Sequence, residues 1–258
     1  MNKIQKLFTV AMTITLISAA AVGMAAEKDF NVKADEIEYN LGSGVGTAQG
    51  HVVIEQDGLK ATAGAAEFNS KAKTGTLSGG VVADKDDAHL VSATLVMHSE
   101  TYVSAIGSAA ITKGDKTIKS ERINYYSDRE YLETDNDWAE LSSTDGSVLT
   151  AAKLYYDGKT GIARAEGTVE ISSPPRKLTA AADRVVYDTN ANGTLELFGN
   201  ATATQDGNTV SGNHLKINNT TNRAEAIGEV KMVYIPKPTA QPAEVDAKKV
   251  SGEKVDAA

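Results

Sequence analysis

The sequence predicts an all-β protein: a long antiparallel sheet folded lengthwise on itself. Three observations carry that reading. A hexamer of one pattern recurs along the chain in a nearly constant register. The apolar residues between its copies alternate with a period of two, as in strands that bury one face. No window of the repeating region has the period of an amphipathic helix.

The chain opens with a segment outside that sheet. Lys3 and Lys6 precede an apolar run from Leu7 to Val22, and the small-residue stretch GMAA follows. This is the layout of a secretory signal peptide over residues 1–26, with cleavage expected after Ala25 or Ala26. The run is 16 residues long, short of the roughly 20 that a membrane-spanning helix needs. No later segment is continuously apolar, so the mature chain is expected to carry no membrane anchor.

Residues 27–235 form the repeat region. ADEIEY from Ala34 returns as AGAAEF from Ala63, SATLVM from Ser92, SERINY from Ser120, AAKLYY from Ala151, ADRVVY from Ala182 and GNHLKI from Gly212, giving about seven repeats of about 30 residues. The first position is always small, the fourth apolar (Ala66 its smallest), and the sixth is Tyr39, Phe68, Met97, Tyr125, Tyr156, Tyr187 or Ile217. Successive sixth positions lie 29, 29, 28, 31, 31 and 30 residues apart, a register that chance does not keep.

A second marker follows most copies: GHV at Gly50, GGV at Gly79, GSA at Gly107, GTV at Gly167, GNA at Gly199 and GEV at Gly228. The fourth repeat departs from it, with DNDW and the only tryptophan, Trp138. Pairs such as Asp57-Gly58, Asp145-Gly146 and Asp206-Gly207 read as turns. Alternation places Val52 with Ile54, Val169 with Ile171, and Val230 with Met232 and Tyr234, each set on one face.

The phase of that alternation shifts inside each hexamer strand. Ala61 and Ala63 share one parity, whereas the apolar fourth and sixth positions that follow have the other. A strand that switches its buried face needs a bulge or a corner, expected here just after the small first position, where small residues tolerate the tight backbone. Repeated along the chain, the switch makes a common crease with an apolar inner lining. About two long strands per repeat, some fourteen in all at roughly 4.8 Å, give a rod of about 65 to 70 Å.

With that pattern assembled, the chain resembles the OstA-like family. The resemblance rests on the exported N-terminus, the small-(Asp)-x-apolar-x-aromatic hexamer, the GxV strand and the DG turn, and is clearest over residues 34–64. It implies an elongated, V-shaped antiparallel β-jelly roll, the β-taco. It also implies a non-enzymatic role, binding lipopolysaccharide in the periplasm and shielding its acyl chains in an apolar groove during export to the outer membrane.

Composition excludes other classes. The chain has 26 basic and 34 acidic residues for a net charge of −8, and loss of Lys3 and Lys6 with the signal leaves 24 against 34, net −10. That is the wrong sign for a nucleic-acid binder. There is no cysteine, hence no disulfide, thiolate metal site or cysteine nucleophile. Residues 236–258 hold three of the five prolines and no aromatic, and read as a disordered tail.

Several motifs invite chemistry and are better read as structure. DTNANG, residues 188–193, has the spacing of the first half of a calcium loop, but its twelfth position is Gly199 where a bidentate Glu belongs. A hairpin turn accounts for it, and no metal is expected. GSGVG at Gly42 opens no helix, so no phosphate cradle follows. His51, His89, His98 and His214 are scattered without ligand spacing. Asp84 with Asp86 and Asp87, and Asp135 with Asp137, read as turn carboxylates rather than a catalytic pair. No cofactor is implied.

The candidate lipid-binding residues are the apolar lining itself: Val52, Ile54, Leu95, Met97, Ile123, Tyr125, Tyr156, Val169, Ile171, Tyr187 and Ile217. A core residue and an acyl-chain contact have the same chemistry. The many alanines and few aromatics lean toward a groove with room for methylene chains. The expected partners are lipopolysaccharide, through its lipid A acyl chains, and either further copies joined head to tail or related inner- and outer-membrane transport components. Unpaired edges near Val32 and in VKMVYI, residues 230–235, would make that joint. Two other readings share the repeats: an exported β-helix acting on polysaccharide, and a purely structural envelope solenoid.

Overall fold

The computed structural model describes residues 31–56, 58–188, 194–218 and 223–235. Its strands belong to one sheet in which every pair is antiparallel and nearly every connection is a hairpin. The order is β1 (Asn31–Lys33), β2 (Glu36–Tyr39), β3 (Val45–Gln56), β4 (Leu59–Asn69), β5 (Thr74–Lys85), β6 (Ala88–Met97), β7 (Tyr102–Lys113), β8 (Lys116–Tyr126), β9 (Tyr131–Thr134), β10 (Ala139–Ser143), β11 (Val148–Ala151), β12 (Lys153–Asp157), β13 (Ile162–Ser173), β14 (Leu178–Asp188), β15 (Thr194–Gln205), β16 (Asn208–Asn218), β17 (Arg223–Ile227) and β18 (Lys231–Val233). One 3-10 turn, Pro174–Arg176, joins β13 to β14.

Four pairs of short strands are halves of longer ones. β1 and β2 lie along the two ends of β3, β9 and β10 along β8, β11 and β12 along β13, and β17 and β18 along β16. Each full-length strand therefore crosses the sheet from one long margin to the other. Midway it bends, so its two halves fall in two facing layers: a hexamer leaf, which carries the fourth and sixth positions, and an opposite leaf.

The bend has a repeated cause. Register slips between Gln49 and Val52, Ser78 and Val81, Ile106 and Ala109, Glu166 and Val169, and Phe198 and Ala201. The skipped residues are Gly50-His51, Gly79-Gly80, Gly107-Ser108, Gly167-Thr168 and Gly199-Asn200, all with φ between 47 and 85°. Gly228-Glu229 repeats the step between β17 and β18, at 72 and 53°. Two successive left-handed residues turn the strand sharply, and glycine takes the first of them without steric cost.

The face switch read from the hexamer is present: β4 buries Leu59, Ala61 and Ala63 before the crease and Ala66 after it. The extra residue, however, is not in the hexamer strand. It belongs to the glycine marker on the facing strand, and the hexamer's second residue packs against it. A Cβ on Gly167 would lie 2.7 Å from the Ala152 Cβ, and one on Gly107 would lie 2.6 Å from the Ala93 Cβ. Where the second residue is longer it bonds to the bulge: Asp35 to His51 Nδ1 at 2.8 Å, and Asp183 accepting from Asn200 Nδ2 at 3.1 Å.

The DNDW stretch replaces this device. Residues 135–138 form a break without glycine, closed by Ser120 Oγ donating to the Trp138 carbonyl at 3.0 Å and by Thr134 Oγ1 accepting from the Leu154 N–H at 2.9 Å. Trp138 stays about half exposed, outside the core. The crease persists there by side-chain bonds instead of a left-handed pair.

Candidate functional site

The two leaves face each other, and between them runs a continuous apolar row. From the hexamer leaf come Ala48, Leu77, Leu95, Val103, Ile123, Leu132, Leu154, Val185, Leu197 and Leu215, and from the opposite leaf Val52, Ile54, Val81, Leu90, Ile111, Ile118, Leu149, Val169 and Ile171, all buried. The strand pleat explains the selection, because alternate residues on each half-strand point inward.

All eleven residues singled out in the sequence lie on this inner surface. Val52, Ile54, Leu95, Ile123, Tyr125, Tyr156, Val169, Ile171 and Tyr187 are buried, and Met97 and Ile217 are partly buried against them. They divide between the leaves, with Val52, Ile54, Val169 and Ile171 facing the other seven.

The alanines do not leave a channel. Ala48, Ala105, Ala109 and Ala201 are at most 1% exposed because the leaves close over them. In the middle of the rod the space between Ile118, Leu141 and Leu149 on one side and Leu132, Leu154, Tyr156 and Tyr187 on the other is about 30 Å³, less than a methylene chain occupies. Free volume collects instead at the C-terminal end. There an opening of about 380 Å³ is bounded by Leu178, Ala203 and Val210 on the opposite leaf and by Ile217, Ala224 and Asn218 on the hexamer leaf.

The long open margin of the V is closed by unlike rows. The hexamer leaf brings Tyr125, Tyr156 and Tyr187, ring-buried. Burial, with Glu130 nearby, pushes the Tyr125 hydroxyl up to about 12. The opposite leaf brings buried polar groups: Gln56, Lys116, Ser147 and Ser173. Ser147 and Ser173 bond to each other at 2.9 Å, and Lys116 pairs with Asp115 at 2.9 Å. No buried side-chain polar atom among the described residues lacks a partner.

On the outside of the hexamer leaf runs a second ladder that the sequence reading missed. His98 stacks on Tyr102 at 4.3 Å, Tyr102 on Tyr126 at 4.6 Å, and Tyr131 and Tyr155 continue the row at 6.1 and 6.4 Å. Arg129 sits 4.2 Å over Tyr126 and Lys153 4.7 Å over Tyr155. Such cross-strand pairs stabilise a sheet surface by a few tenths to about 1 kcal/mol each. The signal was available: Tyr126 and Tyr155 flank hexamer aromatics and so must point the other way.

The remaining candidates resolve into structure. The centre of the DTNANG motif, residues 189–193, lies outside the described residues, as do residues 1–26 and 236–258. No group of three metal-ligating side chains occurs among the described residues. Each histidine has its own neighbour: His51 with Asp35, His89 with Asp84 at 2.6 Å, His98 with Ser104 at 2.9 Å and His214 with Glu196 at 2.9 Å. Asp84 belongs to strand β5, not to a turn, because its cross-strand partner is His89.

Residues 60–223 match the family described as LptA/(LptD N-terminal domain) LPS transport protein. No curated protein matches the chain. Among solved structures, similarity is found to LptH, the LptA homologous periplasmic component of the conserved lipopolysaccharide transport device from Pseudomonas aeruginosa. It is 16% identical, with 81% of this chain and 96% of that chain covered, at a TM-score of 0.20.

Proposed function

The chain belongs to the LptA/LptD N-terminal domain family of lipopolysaccharide transport proteins, and from that premise we propose that it is an exported periplasmic carrier that shields lipid A acyl chains between its two leaves. The observation that supports this most is the unbroken apolar row on both leaves, which reaches the surface at the C-terminal opening. Burial of hydrocarbon supplies the affinity, about 0.8 kcal/mol per methylene. The sugar and phosphate head remains at the rim in water.

The middle of the interior is filled, so an acyl chain enters by parting the leaves. That exchange is nearly neutral in kind: leaf-on-leaf apolar contacts are replaced by leaf-on-lipid contacts. The crease, built in all but the DNDW repeat from left-handed pairs that begin with glycine, is where such an opening bends.

Among the described residues, both ends of the sheet present edges without a strand partner, with exposed apolar residues. Ile37 is 48% and Tyr39 38% exposed at the first edge, Met232 68% and Tyr234 64% at the last. We infer that the last strand pairs with the first strand of another copy, or with a related component at either membrane, which prolongs the apolar row.

Photo-crosslinkers at Leu95, Tyr125, Ile171 and Ile217 are expected to capture lipopolysaccharide, and crosslinkers at outward-facing Glu38 and Lys216 are not. Capture at neither set leaves the filled interior as a structural core only. Equal capture at both sets removes the groove from the mechanism.

A further inference from the structure

The C-terminal opening differs from the rest of the interior in charge as well as in volume. Its walls are apolar, and its rim carries neutral amides from Gln205, Asn208 and Asn218. Among the described residues the charged ones that line it are both cations, Arg176 on the opposite leaf and Arg223 on the hexamer leaf, with the carboxylates of Asp145 and Glu225 beside them outside the lining. In a chain with 34 acidic against 26 basic residues, this is a local inversion of sign.

Arg176 is delivered by a segment the sheet does not need. Hairpins along the same margin turn on short Asp and Gly steps, as at Asp86, Gly114 and Asp206-Gly207. Between β13 and β14 the chain instead inserts Pro174-Pro175-Arg176-Lys177. The prolines fix their own φ, Lys177 takes φ 50° and donates to the Pro174 carbonyl at 3.1 Å, and Gln205 Nε2 reaches the Arg176 carbonyl at 3.4 Å. The Arg176 side chain lines the opening, where burial draws the guanidinium below its ordinary value and the Asp145 carboxylate, on the same margin, partly offsets that. Arg223 opens the last long strand and pairs with Glu225 at 3.3 Å in an exposed position, a pair that solvent screens and a stronger anion displaces.

We propose that Arg176 and Arg223 form a headgroup site for a phosphorylated amphiphile, holding its phosphates at the C-terminal opening while its hydrocarbon enters between the leaves. The inference rests on the carrier function proposed above and assigns its polar end. Guanidinium binds phosphate through two parallel charge-assisted hydrogen bonds. The hairpin of Arg176 and the start of β17 are three strand steps apart, about 14 Å along the rod. Each arginine thus meets a separate anionic group, which suits a head carrying two.

The test is equilibrium binding of bisphosphorylated lipid A, and of the same lipid with both phosphates removed, to the mature chain and to R176Q/R223Q, with K177Q as a neighbouring charge control and thermal unfolding to verify folding. The double variant is expected to lose about tenfold or more for the phosphorylated lipid, about 1.4 kcal/mol, and less than about twofold for the dephosphorylated one, since charge-assisted hydrogen bonds to the phosphates are lost only in the first case; K177Q should match wild type. Unchanged binding of the phosphorylated lipid by the double variant overturns the headgroup site and leaves the carrier intact. So does an equal loss for both lipids, or inorganic phosphate alone saturating wild type at lipid-like concentration. If wild type takes up neither lipid, the carrier function fails and the site fails with it.

Discussion

The middle of the interior and its C-terminal end are written in the same repeat, yet one is a packed core and the other an opening. Leu132 and Ile123 are 1% exposed, whereas Ile217 is only partly buried and Met232 is 68% exposed. Residue type does not explain the contrast, since each position is apolar and faces inward. Neighbours do: an inner residue of a middle strand is covered by strands on both sides and by the other leaf, while Met232 is on the last described strand, with a described neighbour on one side alone, and Ile217 is only one strand in from that end. In a stack built by nearest-neighbour contacts, burial is a property of position in the stack.

The largest expected effect breaks the packed middle. Leu132→Ala should lower unfolding stability by about 2 to 5 kcal/mol, because a well-packed interior relaxes little around a deleted side chain. Ile217→Ala at the opening should cost less than half as much, near 1 kcal/mol on the same reasoning. Urea titration of the two variants reads the contrast, and equal losses would mean that the end is as closed as the middle.

An intermediate effect tests the crease. Gly167→Ala sets a Cβ 2.7 Å from that of Ala152 at φ 78°, while Gly58→Ala meets nothing within 4 Å at φ 79°. Gly58→Ala carries the backbone term alone, about 1 to 2 kcal/mol; Gly167→Ala should add a steric term and reach roughly 3 kcal/mol. Ala152→Gly in the Gly167→Ala background should recover the added part. Failure of that rescue would separate the hexamer's small residues from the bend.

The smallest effect on stability sharpens the comparison at the edge. Met232→Pro removes a backbone donor from β18, which among the described residues pairs with β16 alone. It should change the unfolding midpoint of the chain by less than about 0.5 kcal/mol equivalent, the range of surface substitutions. Concentration-dependent light scattering should nonetheless show weaker association than wild type. Wild type that stays monomeric at high concentration removes the head-to-tail joint.

Much of this architecture was legible in the residues. The hexamer register located the strands, and the parity change between Ala63 and Ala66 announced the face switch. The inward position of Tyr125, Tyr156 and Tyr187 followed from the same period. The crease falls just after the small first position, as the parity change implies, but the residue inserted opposite it was not legible, because a bulge belongs to a pair of strands: the shift in one strand's parity is compensated by an extra residue in its neighbour, Gly167-Thr168 against Ala152. Asp84 was read as a turn residue for want of its cross-strand partner, His89.

The sequence by itself determined the local conformation: where strands run, where they turn, and which side chains face inward, since these depend on period two and on glycine's tolerance of positive φ. Only the tertiary structure decided how closely the two leaves meet and where they part. That distance depends on side chains from strands far apart in sequence, such as Ile118 against Tyr187, and no local pattern encodes it. The same holds for Arg176 and Arg223, 47 positions apart in the chain, which the stacking of four successive long strands brings to the rim of one opening.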